Sequence, residues 1–191
     1  MKIFTNSKKI CLFVFSLCIF VILVITLKNI HLKSKEEELI RNVNILLEKN
    51  GDEEEKQINK EFKKGDDIGL IIIPSIEVKA PIVEGTTSDI LKDAVGHFEN
   101  TSLWEGNVAL ASHNRGSYAH YFSRINQLKN GEEIIYITSM GERRYIVIEN
   151  KIIEETNVGI LKDTADNTIT LITCVTGKRD KRQCIIGIEI N

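Results

Sequence analysis

The sequence predicts an all-β domain, a barrel or sandwich with only short helices, preceded by a single membrane-spanning helix. Three observations support that expectation. From Ile68 onward the chain is a succession of short runs rich in Ile, Val and Thr, interrupted at Pro74, Pro81, Gly85, Gly106, Gly131 and Gly141, which is the texture of many short strands joined by turns. From Ile10 to Leu27 there are 18 consecutive residues without a charge, flanked by Lys8-Lys9 and Lys28. Between these regions lies a tract dense in charge and free of proline.

The chain has 191 residues, 42% hydrophobic and 27% charged, which suits one globular domain with an appendage. A net charge of -2 gives no case for nucleic acid as a partner. Of the four cysteines, Cys11 and Cys18 fall in the apolar segment, and Cys174 and Cys184 fall near the C-terminus. That distribution is no disulfide framework, so Cys174 and Cys184 are expected to be unpaired.

In chain order, residues 1–9 form a short N-terminal segment and residues 10–27 a transmembrane helix. Its 18 residues make a helix about 27 Å long against about 30 Å of bilayer hydrocarbon. No small-x-small cleavage site follows the apolar core, which argues for an uncleaved anchor rather than a secretory signal. Lys2, Lys8 and Lys9 on one side balance Lys28, Lys33 and Lys35 on the other, so loop charge does not orient the helix. Residues 28–67 read as a solvated stalk with the acidic runs Glu36 to Glu38 and Asp52 to Glu55. Within it, Leu39, Val43, Leu46 and Leu47 have helical spacing, so a short amphipathic helix is expected there.

The domain at 68–191 divides into strands at Ile68–Ile73, Ile76–Val83, Asn107–Ser112, Glu132–Thr138, Arg143–Ile153, Thr168–Thr173 and Gln183–Ile190. Short helices are expected at Ser88–Ala94 and Tyr118–Leu128, with a further turn near Val158–Leu161.

The candidate reactive group is Cys174, where the run Thr170-Leu171-Ile172-Thr173-Cys174 gives way to the charged loop Gly177 to Arg182. A free thiol has a pKa of about 8.5, so it needs a neighbouring cation or base to act as a nucleophile at neutral pH. The following loop supplies cations, and His113 stands at the end of another apolar run. A cysteine at a strand end is nonetheless more often a small buried hydrophobe than a catalyst, and the residues alone leave both readings open.

Thr-Leu-x-Thr-Cys, with a histidine about 60 residues earlier and an arginine shortly after, resembles the signature of sortases, the Gram-positive cysteine transpeptidases. The similarity extends over roughly Ile68 to Ile190. It includes the stretch Ile68 to Ile76, the stretch Gly96 to Leu103, and Ala111-Ser112-His113-Asn114-Arg115-Gly116. Many members carry Gly-His where this chain has Ser112-His113, which leaves the histidine in place but changes its local backbone freedom. The resemblance implies a closed eight-stranded β-barrel, one strand more than the pattern above resolves.

The resemblance also implies the chemistry. Cys174 would attack a peptide carbonyl and hold the acyl fragment as a thioester, with His113 passing protons to the departing amine and from the incoming one. The other histidines fit less well: His31 is in the stalk, His120 in an expected surface helix, and His97 in a loop where it could be a packing residue. Only His113 ends an apolar strand, Val108 to Ala111. The third member would be a fixed cation at the substrate or oxyanion, for which a guanidinium suits better than an ammonium. Arg182, leading directly into the last strand as in the family, is that candidate, with Arg179 as the fallback. Thr173 is a candidate to hydrogen-bond the substrate or Arg182.

No Cys-x-x-Cys or His-x-x-x-His spacing joins His113, Cys174 and Cys184 into a zinc site, and no EF-hand pattern occurs, so neither a metal nor a cofactor is expected. The resemblance implies surface proteins with Leu-Pro-x-Thr-Gly-like C-terminal sorting signals as substrates, cut between Thr and Gly. A peptidoglycan cross-bridge amine or lipid II would be the acceptor. The N-terminus would lie inside and the catalytic domain outside the cell membrane. Pilin-polymerising members typically carry an Asp-Pro-aromatic lid and a second membrane span. This chain has two prolines, both within the expected barrel, and ends with its last strand, which favours a wall-attaching enzyme, with the class D type as the expected subclass. Two other readings remain: a membrane-tethered cysteine hydrolase, and an inactive barrel that only binds peptide.

Overall fold

The computed structural model describes residues 3–49, 62–116 and 119–190. The acidic run Asp52 to Glu55, and Tyr118 at the start of the second expected short helix, lie outside the described residues. The first element, α1 (Ile3–Lys49), is one continuous helix. The sequence suggested a membrane helix ending at Leu27 and a separate short helix in the stalk. The backbone passes through both without a break, and no proline or glycine occurs between Ile3 and Lys49 to interrupt it. Its stretch Val14–His31, with a mean hydropathy of 2.1, is long and apolar enough to cross a membrane.

The second unit contains eight strands: β1 (Asp67–Ile73), β2 (Val78–Glu84), β3 (Val95–His97), β4 (Asn107–Ala111), β5 (Glu133–Thr138), β6 (Gly141–Glu154), β7 (Thr168–Val175) and β8 (Lys178–Ile190). They close into a barrel in the order β1-β2-β3-β4-β7-β8-β6-β5. Closure leaves no unpaired edge along the sheet. Two pairings are parallel, β2 with β3 and β4 with β7. The inward residues, Ile71, Ile82, Leu110, Leu171 and Ile185 among them, are fully buried, and burying side chains of this size contributes about 1.5–3 kcal/mol each.

The strand that the pattern missed is β3, three residues with a glycine at its centre. It ends at His97, which is buried rather than set in a loop. His97 Nε2 donates to the Ser102 carbonyl at 3.0 Å, and Nδ1 lies 3.0 Å and 3.1 Å from the two carboxyl oxygens of buried Glu84 on β2. Neither polar group is left unpaired in the core. The two expected short helices contract to single 3-10 turns at Ile90–Lys92 and Ile125–Gln127, while Val158–Leu161 is a 3-10 turn where a turn was expected.

A buried polar tie fixes β4 against β7. Asn107 Nδ2 donates to the Ile160 and Lys162 carbonyls at 3.0 Å and 3.1 Å, and Asn107 Oδ1 accepts from Thr170 Oγ1 at 2.8 Å and from Thr168 Oγ1 at 3.3 Å. Thr170 opens the Thr-Leu-x-Thr-Cys run, and its hydroxyl serves the core rather than the surface: the residue is 1% exposed. Satisfying every partner of one buried amide in this way sets strand register as well as stability.

Candidate active site

The parallel pairing of β4 and β7 brings the distant residues together. The ladder runs from Asn107 opposite Thr168 to Ala111 opposite Ile172. Parallel strands leave the sheet at the same rim, so continuing this register two residues sets His113 beside Cys174. Two bonds extend the pairing past the end of β4: the Ser112 amide donates to the Ile172 carbonyl at 3.3 Å, and Thr173 Oγ1 donates to the Ser112 carbonyl at 2.7 Å.

Depth along β7 decides which side chains are accessible, since Thr168 to Thr173 are all buried and exposure begins at Cys174, at the rim. Thr173 is buried at 5% exposure, whereas Cys174 is a free thiol at the surface. Cys184, by contrast, lies within β8 opposite Ile172, fully buried, and burial pushes its thiol up to about 11. On the other side of β7, Cys174 is paired in register with Arg182 of β8.

Three candidate side chains, His113, Cys174 and Arg182, line one groove of about 340 Å³ together with Arg115, Lys178 and Arg179. Arg179, the fallback cation, is therefore at the same groove. A second hollow of about 200 Å³ also opens onto Cys174, with Thr173, Phe122, Ser123, Asn126 and Gln183 in its walls. Thr173 reaches this hollow even though its hydroxyl proton is engaged by Ser112.

Arg182 is held firmly. One terminal nitrogen, Nη1, donates to the Arg179 and Lys181 carbonyls at 2.8 Å and 2.9 Å, and Nη2 donates to Glu155 Oε2 at 2.7 Å. A guanidinium has five N–H donors, so two remain after these bonds. Glu155 stands in the loop after β6 and gave no signal in the sequence, since a lone glutamate in a charged loop looks like any solvated residue. The same holds for Asn114, which follows His113. Its Nδ2 donates to the Cys174 carbonyl and lies 3.4 Å from Thr176 Oγ1, and its side chain lines both hollows. Among the described residues no three His, Cys, Asp or Glu side chains converge in a way that could hold a metal ion.

The Sortase domain family profile matches residues 71–188. The chain belongs to the sortase family. Sortase A of Bacillus anthracis is 31% identical over 133 residues, covering 69% of this chain and 63% of that protein. Among solved structures, a Clostridium perfringens sortase D5 transpeptidase superposes with a TM-score of 0.72 at 30% identity, covering 83% of this chain and 99% of that one. Clostridium perfringens sortase C, solved with the C-terminal cell wall sorting motif, gives a TM-score of 0.65 at 29% identity over 81% of this chain and 89% of that one. The chain spans between about 40% and 63% of the length of the curated relatives it matches. The closed eight-stranded barrel expected of a sortase is the fold observed.

Proposed function

We propose that this sortase is a membrane-anchored cysteine transpeptidase. It cleaves a Leu-Pro-x-Thr-Gly-like C-terminal sorting signal between Thr and Gly and transfers the protein to an amine of the peptidoglycan cross-bridge or of lipid II. The observation that carries the reading is the single groove lined by His113, Cys174 and Arg182. A thiol, an imidazole and a guanidinium at one rim are the groups that a two-step acyl transfer requires.

In the first step Cys174 passes its thiol proton to His113, Sγ attacks the threonine carbonyl carbon, and the C–N bond to glycine breaks as His113 gives that proton to the departing amine. A thioester remains on Cys174. In the second step the acceptor amine attacks that thioester, gives its proton to His113, and Sγ leaves. An imidazole is suited to both transfers because its ordinary pKa lies near neutrality. Arg182 holds the substrate carbonyl or its oxyanion with the N–H donors not engaged by Glu155 and the main chain. Thr173 contacts the substrate from the smaller hollow.

The substrate class is supported by Clostridium perfringens sortase C, whose structure contains a sorting motif. A class D assignment is supported by the similarity to the sortase D5 structure. The apolar stretch of α1 supports a membrane anchor, and the orientation, with the N-terminus inside and the barrel outside, follows from the requirement that the enzyme meet its cell-wall acceptor.

The full chain in detergent, incubated with a sorting peptide and followed by mass spectrometry, tests the reading. An acyl adduct on Cys174, converted by an added amine into a ligated peptide, is the expected result. Hydrolysis unaffected by amine identifies a hydrolase instead, and peptide binding without any adduct identifies an inactive binder.

A further inference from the structure

The two hollows that meet at Cys174 differ in chemistry. The smaller has no charged side chain in its walls, which are built from residues such as Phe122, Ser123, Asn126 and Gln183. The larger carries Arg115, Lys178, Arg179 and Arg182 beside His113, with no carboxylate among its lining residues. Arg182 is compensated by Glu155. The neighbouring Lys181 takes up Glu154 and Asp180. Arg115, Lys178 and Arg179 have no carboxylate partner among the described residues. Three uncompensated cations thus face a hollow of about 340 Å³ in a chain whose net charge is -2. Gathering like charges costs self-repulsion, and a concave wall focuses their field on whatever enters.

His113 lines the cationic hollow and is absent from the walls of the neutral one. In the acyl transfer proposed above, the proton moves to and from the amine, so the amine must enter and leave on the histidine's side. The neutral hollow is left for the acyl portion of the peptide. We propose that the cationic hollow is the seat of the acceptor and selects amines that carry a carboxylate or phosphate near the attacking nitrogen. This inference rests on the transpeptidase reading. The simpler account is that the three side chains are solvated surface charges without a ligand. The same anion could also belong to the peptide that departs, so the test separates the two sources.

The thioacyl enzyme, formed on the full chain in detergent, is offered glycylglycine or glycylglycinamide, which differ in the terminal carboxylate. In a second arm the sorting peptide carries either Glu or Gln immediately after its scissile glycine. The expected result is capture of glycylglycine about tenfold faster than the amide at low salt. That preference shrinks to about twofold or less in the double variant Arg115→Gln, Lys178→Gln and in high salt, where screening shortens the reach of exposed charge. The preference is a ratio within each protein, so a general loss of activity does not imitate its loss. Equal capture of both amines, or a charge preference confined to the departing peptide, overturns the proposal.

A second measurement does not need turnover. The rate of Cys174 alkylation by iodoacetate relative to iodoacetamide reports the field at the thiol, and that ratio should fall several-fold in the double variant. An unchanged ratio overturns the cationic hollow itself. If no thioacyl enzyme forms at all, the transpeptidase reading fails, while the alkylation ratio still reports on the hollow.

Discussion

Asn114 Nδ2 donates a hydrogen bond to the main-chain carbonyl of Cys174, joining the segment that carries the candidate base to the strand that carries the candidate nucleophile. The side chain reaches across 60 residues of sequence, and the bond adds to the two that already tie Ser112 to β7. Hydrogen bonds of this kind contribute about 0.5–1.5 kcal/mol net. Here that energy ties the two rim segments that carry the candidate base and the candidate nucleophile, rather than a core.

Replacing Asn114 by alanine is therefore expected to slow thioester formation on Cys174 about tenfold, equivalent to about 1.4 kcal/mol, with little change in melting temperature because the side chain is only half-buried. Asn114→Asp, which keeps the size but loses the donor, should be slowed at least as much. Single-turnover acylation measured beside thermal unfolding tests this, and a normal rate in both variants would remove Asn114 from the positioning of His113.

The two barrel cysteines should differ sharply toward alkylating reagents. Cys174 is exposed and Cys184 is buried with its thiol pushed up to about 11, so fewer than about one in a thousand Cys184 thiols is ionised near pH 7.5. Iodoacetamide followed by peptide mapping should place the label on Cys174 in the folded protein and on Cys184 only after unfolding. Fast labelling of Cys184 in the folded state would contradict the burial of β8. Cys174→Ala should abolish the acyl adduct, while Cys184→Ala should retain it.

Much of the barrel could be read from residue pattern because most of its strands carry β-branched runs beside glycine or proline, and seven of the eight coincide with expected segments, although β8 begins at Lys178, inside the expected charged loop, rather than at Gln183. β3 does not. Val95-Gly96-His97 is too short for a period to register, and it is held by parallel pairing to β2 and antiparallel pairing to β4, contacts without a local trace. The place of His97 depends on Glu84, thirteen residues away, so reading it as a loop residue was natural and incomplete. At the rim, His113 and Cys174 could be singled out because each stands at the end of an apolar run. Asn114 and Glu155 could not, because their parts depend on where a side chain folds back, which composition does not encode. α1 shows a different limit: the sequence marked where apolar residues stop, but a helix ends where its backbone is broken, and nothing between Leu27 and Lys49 breaks it.

Gly69 is required by a close approach rather than by its φ angle. It lies in β1 opposite Thr138 of β5, and a Cβ built there would sit 1.9 Å from the Ile137 carbonyl oxygen. The obstacle is backbone in a closed barrel, so it cannot swing aside as a flexible side chain would. Gly69→Ala should destabilise the domain by about 1–3 kcal/mol, read as a lower denaturation midpoint with an unchanged denaturant slope. Gly131 has nothing within 4 Å of an added Cβ but has φ of 88°. Gly131→Ala should therefore cost about 1–2 kcal/mol from backbone strain alone, by a mechanism that leaves the β1–β5 pairing intact.

Stability should also depend on pH through Asp67 at the start of β1. Burial, assisted by the adjacent Asp66 carboxylate, raises the Asp67 pKa above its ordinary value. The folded protein thus holds this proton more tightly than the unfolded chain. Its favourable contribution is fully present below the unfolded pKa of about 3.9 and is lost as pH rises through the higher folded value. At neutral pH the ionised carboxylate is therefore a net cost, kept below about 1 kcal/mol because the group is only half-buried and solvent screens it. Asp67→Asn should raise the melting temperature at pH 7 and leave it unchanged near pH 3, where both residues are neutral. Thermal melts of the two proteins across that range decide it, and a variant equally stabilised at both pH values would point to lost hydration or packing rather than to the charge of Asp67.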